Sequence, residues 1–355
     1  MFLFMNQEKD FYTERYNKNI LRLRNVLKDL PSFCEEFFRS IENNTSILTR
    51  VNYAYDLRVF FNYLTEHIDE FKNTSPTDFT IEQLNSITVT HIEMFLHDIS
   101  FYKTDDDIEY SNRECGKARK LSTIRSLLSY FYKKGKTEQN VASLVDLPKI
   151  HEKPIIRLEI NEIVKLLDTV ESGEGLTKTQ KRYHKYNKSR DLAMLMLFLG
   201  TGIRISECVG LNISDLDFEV NGFKITRKGG NEEILYFNDE IRTALLEYLE
   251  ERKNIEALPG HEDALFLSLQ RRRISTRAVQ NLVKKYTDAI TPLKNISPHK
   301  LRSTFGTNLY RQTGDIYLVA DVLGHKDVNT TKKHYAAISD DKRRQAARTI
   351  QLKDD

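Results

Sequence analysis

Apolar residues recur at helical spacing along most of this chain. In "TSILTRVNYAYDLRVFFNYLTEH", residues 45–67, Ile47, Val51, Ala54, Leu57, Phe61 and Leu64 share one face of a helix. Arg50 and Arg58 fall off that stripe, where they are free to meet solvent or phosphate. "TVTHIEMFLHDIS" and "KLSTIRSLLSYFYKKG" repeat the pattern, the second with Ser122 or Thr123 as a cap and Gly135 as a stop. "NILRLRNVLKDL", near the start, is helical too. Residues 1–145 therefore predict a small helical bundle. "VDLPKIHEKPIIRL" has Pro148 and Pro154 and no periodicity, so residues 146–156 read as an extended linker.

Beyond the linker, "EINEIVKLLDTV" resumes helix, and the polar stretch 177–190 reads as an ordered loop or short helix. "SRDLAMLMLFLGTG" is a buried helix with Ser189 as its cap and an end near Gly200 and Gly202. "ISDLDFE", "FKITR" and "EEILYF" alternate as short strands, joined by the tight turns "VNG" and "KGGN". They predict a three-stranded antiparallel meander, the only convincing sheet in the chain. "DEIRTALLEYLEERK" and "STRAVQNLVKKYTDAI" return to helix. So does "SPHKLRSTFGTNLY", with Ser297 as N-cap, Pro298 as first helical residue, and Leu301, Phe305 and Leu309 as a buried stripe. The fold class is mainly α: a helical bundle, then an α+β domain carrying the small sheet.

Composition fits this picture and narrows the partner. The 355 residues are 40% hydrophobic and 30% charged, enough for two domains. Cys34, Cys115 and Cys208 are scattered without a CxxC pair, which argues against disulfides and zinc. No apolar run is long enough for a membrane span, and "MFLFMNQEKD" does not read as a signal peptide, so a cytoplasmic protein is expected. The net charge is only +3, but it is segregated. Residues 113–136 carry Arg113, Lys117, Arg119, Lys120, Arg125, Lys133, Lys134 and Lys136 against a single acid, Glu114. "TKTQKRYHKYNKSR", residues 177–190, has Lys178, Lys181, Arg182, Lys185, Lys188 and Arg190 and no acid, while Asp105, Asp106 and Asp107 gather elsewhere. Such segregation favours a polyanion, with Arg50, Arg58, Arg119, Lys120, Arg125, Lys181, Arg182 and Lys185 as candidate DNA contacts.

Several polar residues stand where the chain turns: Arg204 in "GTGIRISE", Lys228 in "TRKGGN", His299 and Arg302 at a helix start, His325 in "VLGHKDVNTT", and Tyr335 in "KKHYAAI". Singly, each has a plain structural reading. Together they are the parts for phosphoryl transfer without a metal. Displacement at a phosphodiester gathers negative charge on the non-bridging oxygens, which two guanidiniums can hold. A tyrosine, with a pKa of about 10, becomes a nucleophile when cations favour its phenolate. A lysine on a hairpin tip can protonate the leaving 5′-oxygen. There is no HExxH, no acidic triad pattern and no Walker motif, so no metal, ATP or other cofactor is expected.

In order, "GTGIRISE", the hairpin Lys228, "HKLRSTFGT", "LGH" and Tyr335 resemble the signature of the tyrosine recombinase/integrase family over residues 157–340. The resemblance implies that residues 1–145 are a core-binding, DNA-binding domain and 157–338 the catalytic domain. It implies that Arg204 and Arg302 clamp the scissile phosphate with His299 as proton handler, and that His325 adds a further bond to that phosphate. It also implies that Lys228 is the general acid, that Tyr335 attacks to give a 3′-phosphotyrosine, and that Glu207 orients the basic groups. Two departures stand out: Ser303 where many relatives have a second histidine, and His334 before the tyrosine, which sets Tyr335 ten residues after His325. Within the family the chain most resembles the single-protein Xer recombinases of Firmicutes, the XerS type, by its length, its insert "GEGLTKTQKRYHKYNKSRD" and the lack of a separate arm-binding domain. That implies chromosome-dimer resolution at a dif-like site with inverted-repeat arms, through a Holliday junction, helped by a septal DNA translocase. A mobile-element integrase, or an accessory protein that binds without cutting, remains the alternative. Residues 339–355, "SDDKRRQAARTIQLKDD", form an amphipathic tail. Either it is exchanged between protomers of a homotetramer on two DNA sites or it packs on its own domain.

Overall fold

The computed structural model describes residues 11–103, 109–149, 156–227, 230–325 and 327–328. Lys228, His334, Tyr335, the tail, Asp105–Asp107 and most of the expected linker lie outside the described residues. The chain divides into two compact units, Met1–Lys153 and Pro154–Asp355.

In the first unit the helices are α1 (Phe11–Leu27), α2 (Cys34–Ser40), α3 (Ile47–His67), α4 (Ile81–Ser86), α5 (Val89–Asp98) and α6 (Glu114–Lys133). Helix α3 forms the axis. Ser46 caps it by accepting from the Thr49 N–H at 3.2 Å, and its apolar face disappears completely at Val51, Ala54, Leu57, Phe61 and Leu64. Around it close Phe37, Phe71, Phe95 and Phe131, all fully buried, with edge-to-face contacts such as that of Phe95 with the buried Phe60 of α3 at 5.0 Å. Two expectations fail here. Helix α6 begins after Arg113, so Ser122 and Thr123 are interior residues; each hydroxyl donates to a carbonyl four residues back, and Thr123 also reaches Asp56. The meander is also not the only sheet. β1 (Phe101–Lys103) and β2 (Glu109–Ser111) pair antiparallel, Tyr102 opposite Tyr110, in strands too short to show a period of two.

In the second unit the elements are α7 (Ile160–Ser172), α8 (Lys178–Thr201), α9 (Ile205–Gly210), β3 (Leu216–Asp217), β4 (Gly222–Thr226) and β5 (Glu232–Tyr236). Helices α10 (Asp239–Arg252), α11 (Thr276–Ile290), α12 (Pro298–Thr313) and α13 (Ile316–Val322) follow. The three strands form the expected meander in the order β3-β4-β5, with Phe223 opposite Leu235 and Ile225 opposite Glu233. β3 is shorter than the sequence suggests, because Ile213–Asp215 coil into a 3-10 turn. The basic stretch 177–190 is neither a loop nor a separate helix but the first half of α8, capped at Thr177, whose hydroxyl and Gln180 bond each other's backbone N–H groups. Ser189 is therefore an interior residue; its hydroxyl donates to Glu251 at 2.5 Å. Helix α8 ends at Gly202, with φ +63, where a β-carbon would drive into the ring of Phe305 on α12. That close approach brings the turn before Arg204 against α12. Among the described residues no helix is long and apolar enough to cross a membrane.

Candidate active site

The turn at Gly202 leads directly into α9, with Arg204 at its N-cap position. Glu207, one turn on and only 3% exposed, accepts the Arg204 backbone N–H through Oε2 at 2.9 Å and its guanidinium through Oε1 at 2.8 Å. This carboxylate fixes the arginine at both ends. From there Arg204 Nη2 donates to the carbonyls of Leu323 at 3.1 Å and Gly324 at 2.9 Å.

Those carbonyls lie at the C-terminal end of α13, where a helix has no internal donors left. Arg302, in the second turn of α12 and 4% exposed, reaches the same place. Its Nη1 donates to Gly202 O at 2.5 Å and its Nη2 to Leu323 O. Two guanidiniums that are distant in sequence thus share one oxygen. His299, a turn before Arg302 on α12, is exposed, whereas Arg302 is not: the two side chains differ in burial although they stand at i and i+3. Ser297 occupies the N-cap of α12 without a side-chain cap bond. Leu301 is fully buried, and Phe305 and Leu309 pack on Val319 and Leu323. His325 follows Gly324 (φ +58), is partly exposed, and donates its backbone N–H to Ala320 O at 2.9 Å.

A third guanidinium was missed in the sequence. Arg227, at the end of β4, donates through Nε to Glu233 Oε2 at 2.5 Å and through Nη2 to Glu233 Oε1 at 3.0 Å. It also reaches Val322 O at 3.2 Å and Leu323 O at 3.3 Å, and its Nη1 stands 3.6 Å from Glu207. The signal for it was present: Phe223, Ile225 and Arg227 alternate on the buried face of β4, so a period of two carries the arginine inward.

The candidate DNA contacts divide. Arg50 is not free for solvent or phosphate: it is 6% exposed and pairs with Glu42 at 2.8 Å. Lys120 is equally turned in, because Asp56, buried on α3, takes it at 3.1 Å and Arg119 at 2.9 Å. Arg125 spends its guanidinium on the Ala142 and Val145 carbonyls. Arg190, counted in the basic run, turns inward to Asp191 and Leu267 O. Arg58 remains at the surface beside Asp29 at 3.0 Å and over the Tyr55 ring, and Arg119 is half exposed. Lys181, Arg182 and Lys185 are exposed on the outer face of α8, together with Lys178, Lys188, Tyr183 and Tyr186. The opposite face of that half-helix is buried at His184 and Asn187.

Residues 157–342 match the model of the phage integrase family. Among curated proteins, a tyrosine recombinase XerC of Caldanaerobacter subterraneus subsp. tengcongensis is 32% identical over 324 residues, covering 89% of this chain and 86% of the relative. A tyrosine recombinase XerS of Lactococcus lactis subsp. cremoris is 28% identical and covers 93% of this chain and 98% of its own. Among solved structures, the XerH site-specific recombinase in a post-cleavage complex with a palindromic difH substrate superposes with a TM-score of 0.65 at 21% identity, covering 94% of this chain and 89% of that one. This last likeness is one of fold.

Proposed function

We propose a function from the premise that this chain belongs to the phage integrase family, the tyrosine recombinases: it cuts and rejoins DNA strands at a specific site. Its substrate is double-stranded DNA. Arg204 and Arg302 hold the non-bridging oxygens of the scissile phosphate, and His325 adds a hydrogen bond to them. Tyr335 gives up its proton with His299 as handler, and its Oη attacks phosphorus. As that bond forms, the bond from phosphorus to O5′ breaks, and O5′ takes a proton from the Lys228 ammonium. The product is a 3′-phosphotyrosine and a free 5′-hydroxyl; reversal with a second strand's 5′-hydroxyl rejoins the chain. Glu207 keeps Arg204 aimed during the step.

The observation that supports this reading best is the sharing of Leu323 O by Arg204 and Arg302. Two fixed cations facing one oxygen are what a single phosphate group needs. Residues 1–145 bind the DNA arms, 146–156 link them to the catalytic domain at 157–338, and residues 339–355 pass to a neighbouring protomer in a homotetramer on two DNA sites. Lys181, Arg182 and Lys185 contact phosphates, as do Arg58 and Arg119. The similarity to XerC and XerS proteins supports resolution of chromosome dimers at a dif-like site. The reading adds a cytoplasmic location and a septal DNA translocase that assists the reaction.

The test uses the full chain and duplexes selected from random DNA by binding to Tyr335→Phe, each then nicked beside the cleavage position. Wild type should become covalently joined to the DNA, with or without a chelator, and Tyr335→Phe should bind without joining. Loss of joining on chelation would overturn the metal-free mechanism. Tight binding with no joining by any form would favour the accessory protein.

A further inference from the structure

We propose that Arg227 is a positioning residue, which pins the base of the β4–β5 hairpin to the turn after α13 and so sets the place from which Lys228 protonates the leaving oxygen. The inference rests on the reading of Lys228 as general acid.

Arg227 lies where three parts of the second unit meet. Its bidentate pair with Glu233 locks it across the hairpin, and its own N–H donates to Asn231 O at 2.7 Å. Its bonds to the Val322 and Leu323 carbonyls tie the hairpin to the end of α13, and Glu207 adds an acid from α9. The guanidinium rests on Gly324 so closely that a β-carbon there would overlap its central carbon. Gly324 is therefore required twice, by its φ of +58 and by Arg227 above it. All of this is buried: Arg227 is 9% exposed.

Lys228 is the next residue. Its α-carbon is only about 3.8 Å from that of Arg227. Arg227 and Arg204 donate to the same Leu323 carbonyl, so the residue just before the lysine is held at a fixed point relative to Arg204. A lysine in place of Arg227 keeps the charge but cannot reproduce the planar fork that satisfies a carboxylate and two carbonyls together. Misplacing a catalytic group by about 1 Å costs about 10²-fold in rate.

The experiment compares single-turnover cleavage of two suicide duplexes by the full chain: one with the natural 5′-oxygen at the scissile bond, one with sulfur bridging there. With sulfur, the bond from phosphorus to S5′ breaks and a thiolate leaves. A thiol has a pKa of about 8.5, so this departure needs no proton donor, whereas an alkoxide does. Lys228→Ala should be slow on oxygen and near wild type on sulfur. Arg227→Met, Arg227→Lys and Glu233→Gln should show the same pattern, slowed about 10²-fold on oxygen for Arg227→Met and restored on sulfur, with DNA affinity kept. Where Arg227→Met no longer binds DNA, Arg227→Lys and Glu233→Gln decide. Equal slowing on both substrates while Lys228→Ala is restored would overturn the positioning role and leave the general acid standing. Wild-type rates for Arg227→Lys and Glu233→Gln on oxygen would overturn it as well. If Lys228→Ala is not restored by sulfur, the general-acid reading falls and the inference with it.

Discussion

Replacing Glu207 by glutamine should weaken both the stability and the chemistry of the second unit while leaving the volume of the side chain unchanged. The carboxylate is 3% exposed and holds Arg204 at 2.8 Å, faces Arg227 at 3.6 Å, and accepts the Arg204 N–H at 2.9 Å. Glutamine keeps one acceptor oxygen but turns an NH₂ group toward a guanidinium or the backbone N–H, so one donor faces another. Removing one partner of a buried pair costs about 3–5 kcal/mol, and an unsatisfied buried donor about 1–3 kcal/mol. Because the Arg204 side chain is 34% exposed and can turn partly to water, the cost falls below the first range and into the upper part of the second, about 2–3 kcal/mol. For a unit of this size that lowers Tm by roughly 4–12 °C. Calorimetry should show the shift in the transition of the Pro154–Asp355 unit and none in that of Met1–Lys153. Single-turnover cleavage should fall about 10- to 100-fold, since Arg204 loses its aim, while DNA Kd stays unchanged or tightens with the loss of a negative charge. Unaltered melting together with a wild-type cleavage rate would refute the role given to this carboxylate.

Three further outcomes are expected. Lys181→Ala, Arg182→Ala and Lys185→Ala combined should flatten the dependence of log affinity on log salt by about 0.9 for each phosphate that is no longer neutralised; an unchanged slope would remove the outer face of α8 from the DNA interface. Burial, then Asp191, raises the Tyr286 phenol above its usual range, and burial, then Asp98, does the same for Tyr63. Their stabilising effect is complete below the ordinary phenol value of about 10 and is lost as pH rises through the higher folded-state value. Tyr286→Phe should therefore reduce the alkaline fall in unfolding free energy by up to about 1.4 kcal/mol per pH unit. Cys34 and Cys208 are buried, with thiols pushed up by that burial, whereas Cys115 is exposed. A thiol reagent should label Cys115 quickly in the native protein and the other two only on unfolding.

Most helices of both units could be read from the spacing of apolar residues, because packing against a core imposes that spacing directly. The stretch 177–190 escaped because its inner face is polar. His184 is buried through a bond to Val170 O at 2.7 Å, and Asn187 bonds back along the helix to Tyr183 O at 3.1 Å, so no apolar stripe announces the turns. The capping pattern of Thr177 and Gln180 was the readable clue. Solvent exposure of single cations was least legible. Arg50 and Lys120 looked peripheral from their own helices, yet Lys120 meets an acid 64 positions away, a pairing that only the folded chain creates. In the candidate site, the residue types and their order were visible one by one. That Arg204, Arg227 and Arg302 meet at a single carbonyl depends on the left-handed turns at Gly202 and Gly324, and so belongs to the three-dimensional structure.

The place of the protein–DNA bond decides whether Tyr335 is the nucleophile. Wild-type protein joined to a nicked duplex is digested with protease and nuclease, and the remaining nucleotide-linked peptide is sequenced by mass spectrometry. A single adduct is expected, a 3′-phosphate ester on Tyr335, absent from Tyr335→Phe and severely reduced in Arg204→Ala and Arg302→Ala. An adduct on any other tyrosine, or one attached through a 5′-phosphate, would show that Tyr335 is not the nucleophile or that the polarity of the step is wrong.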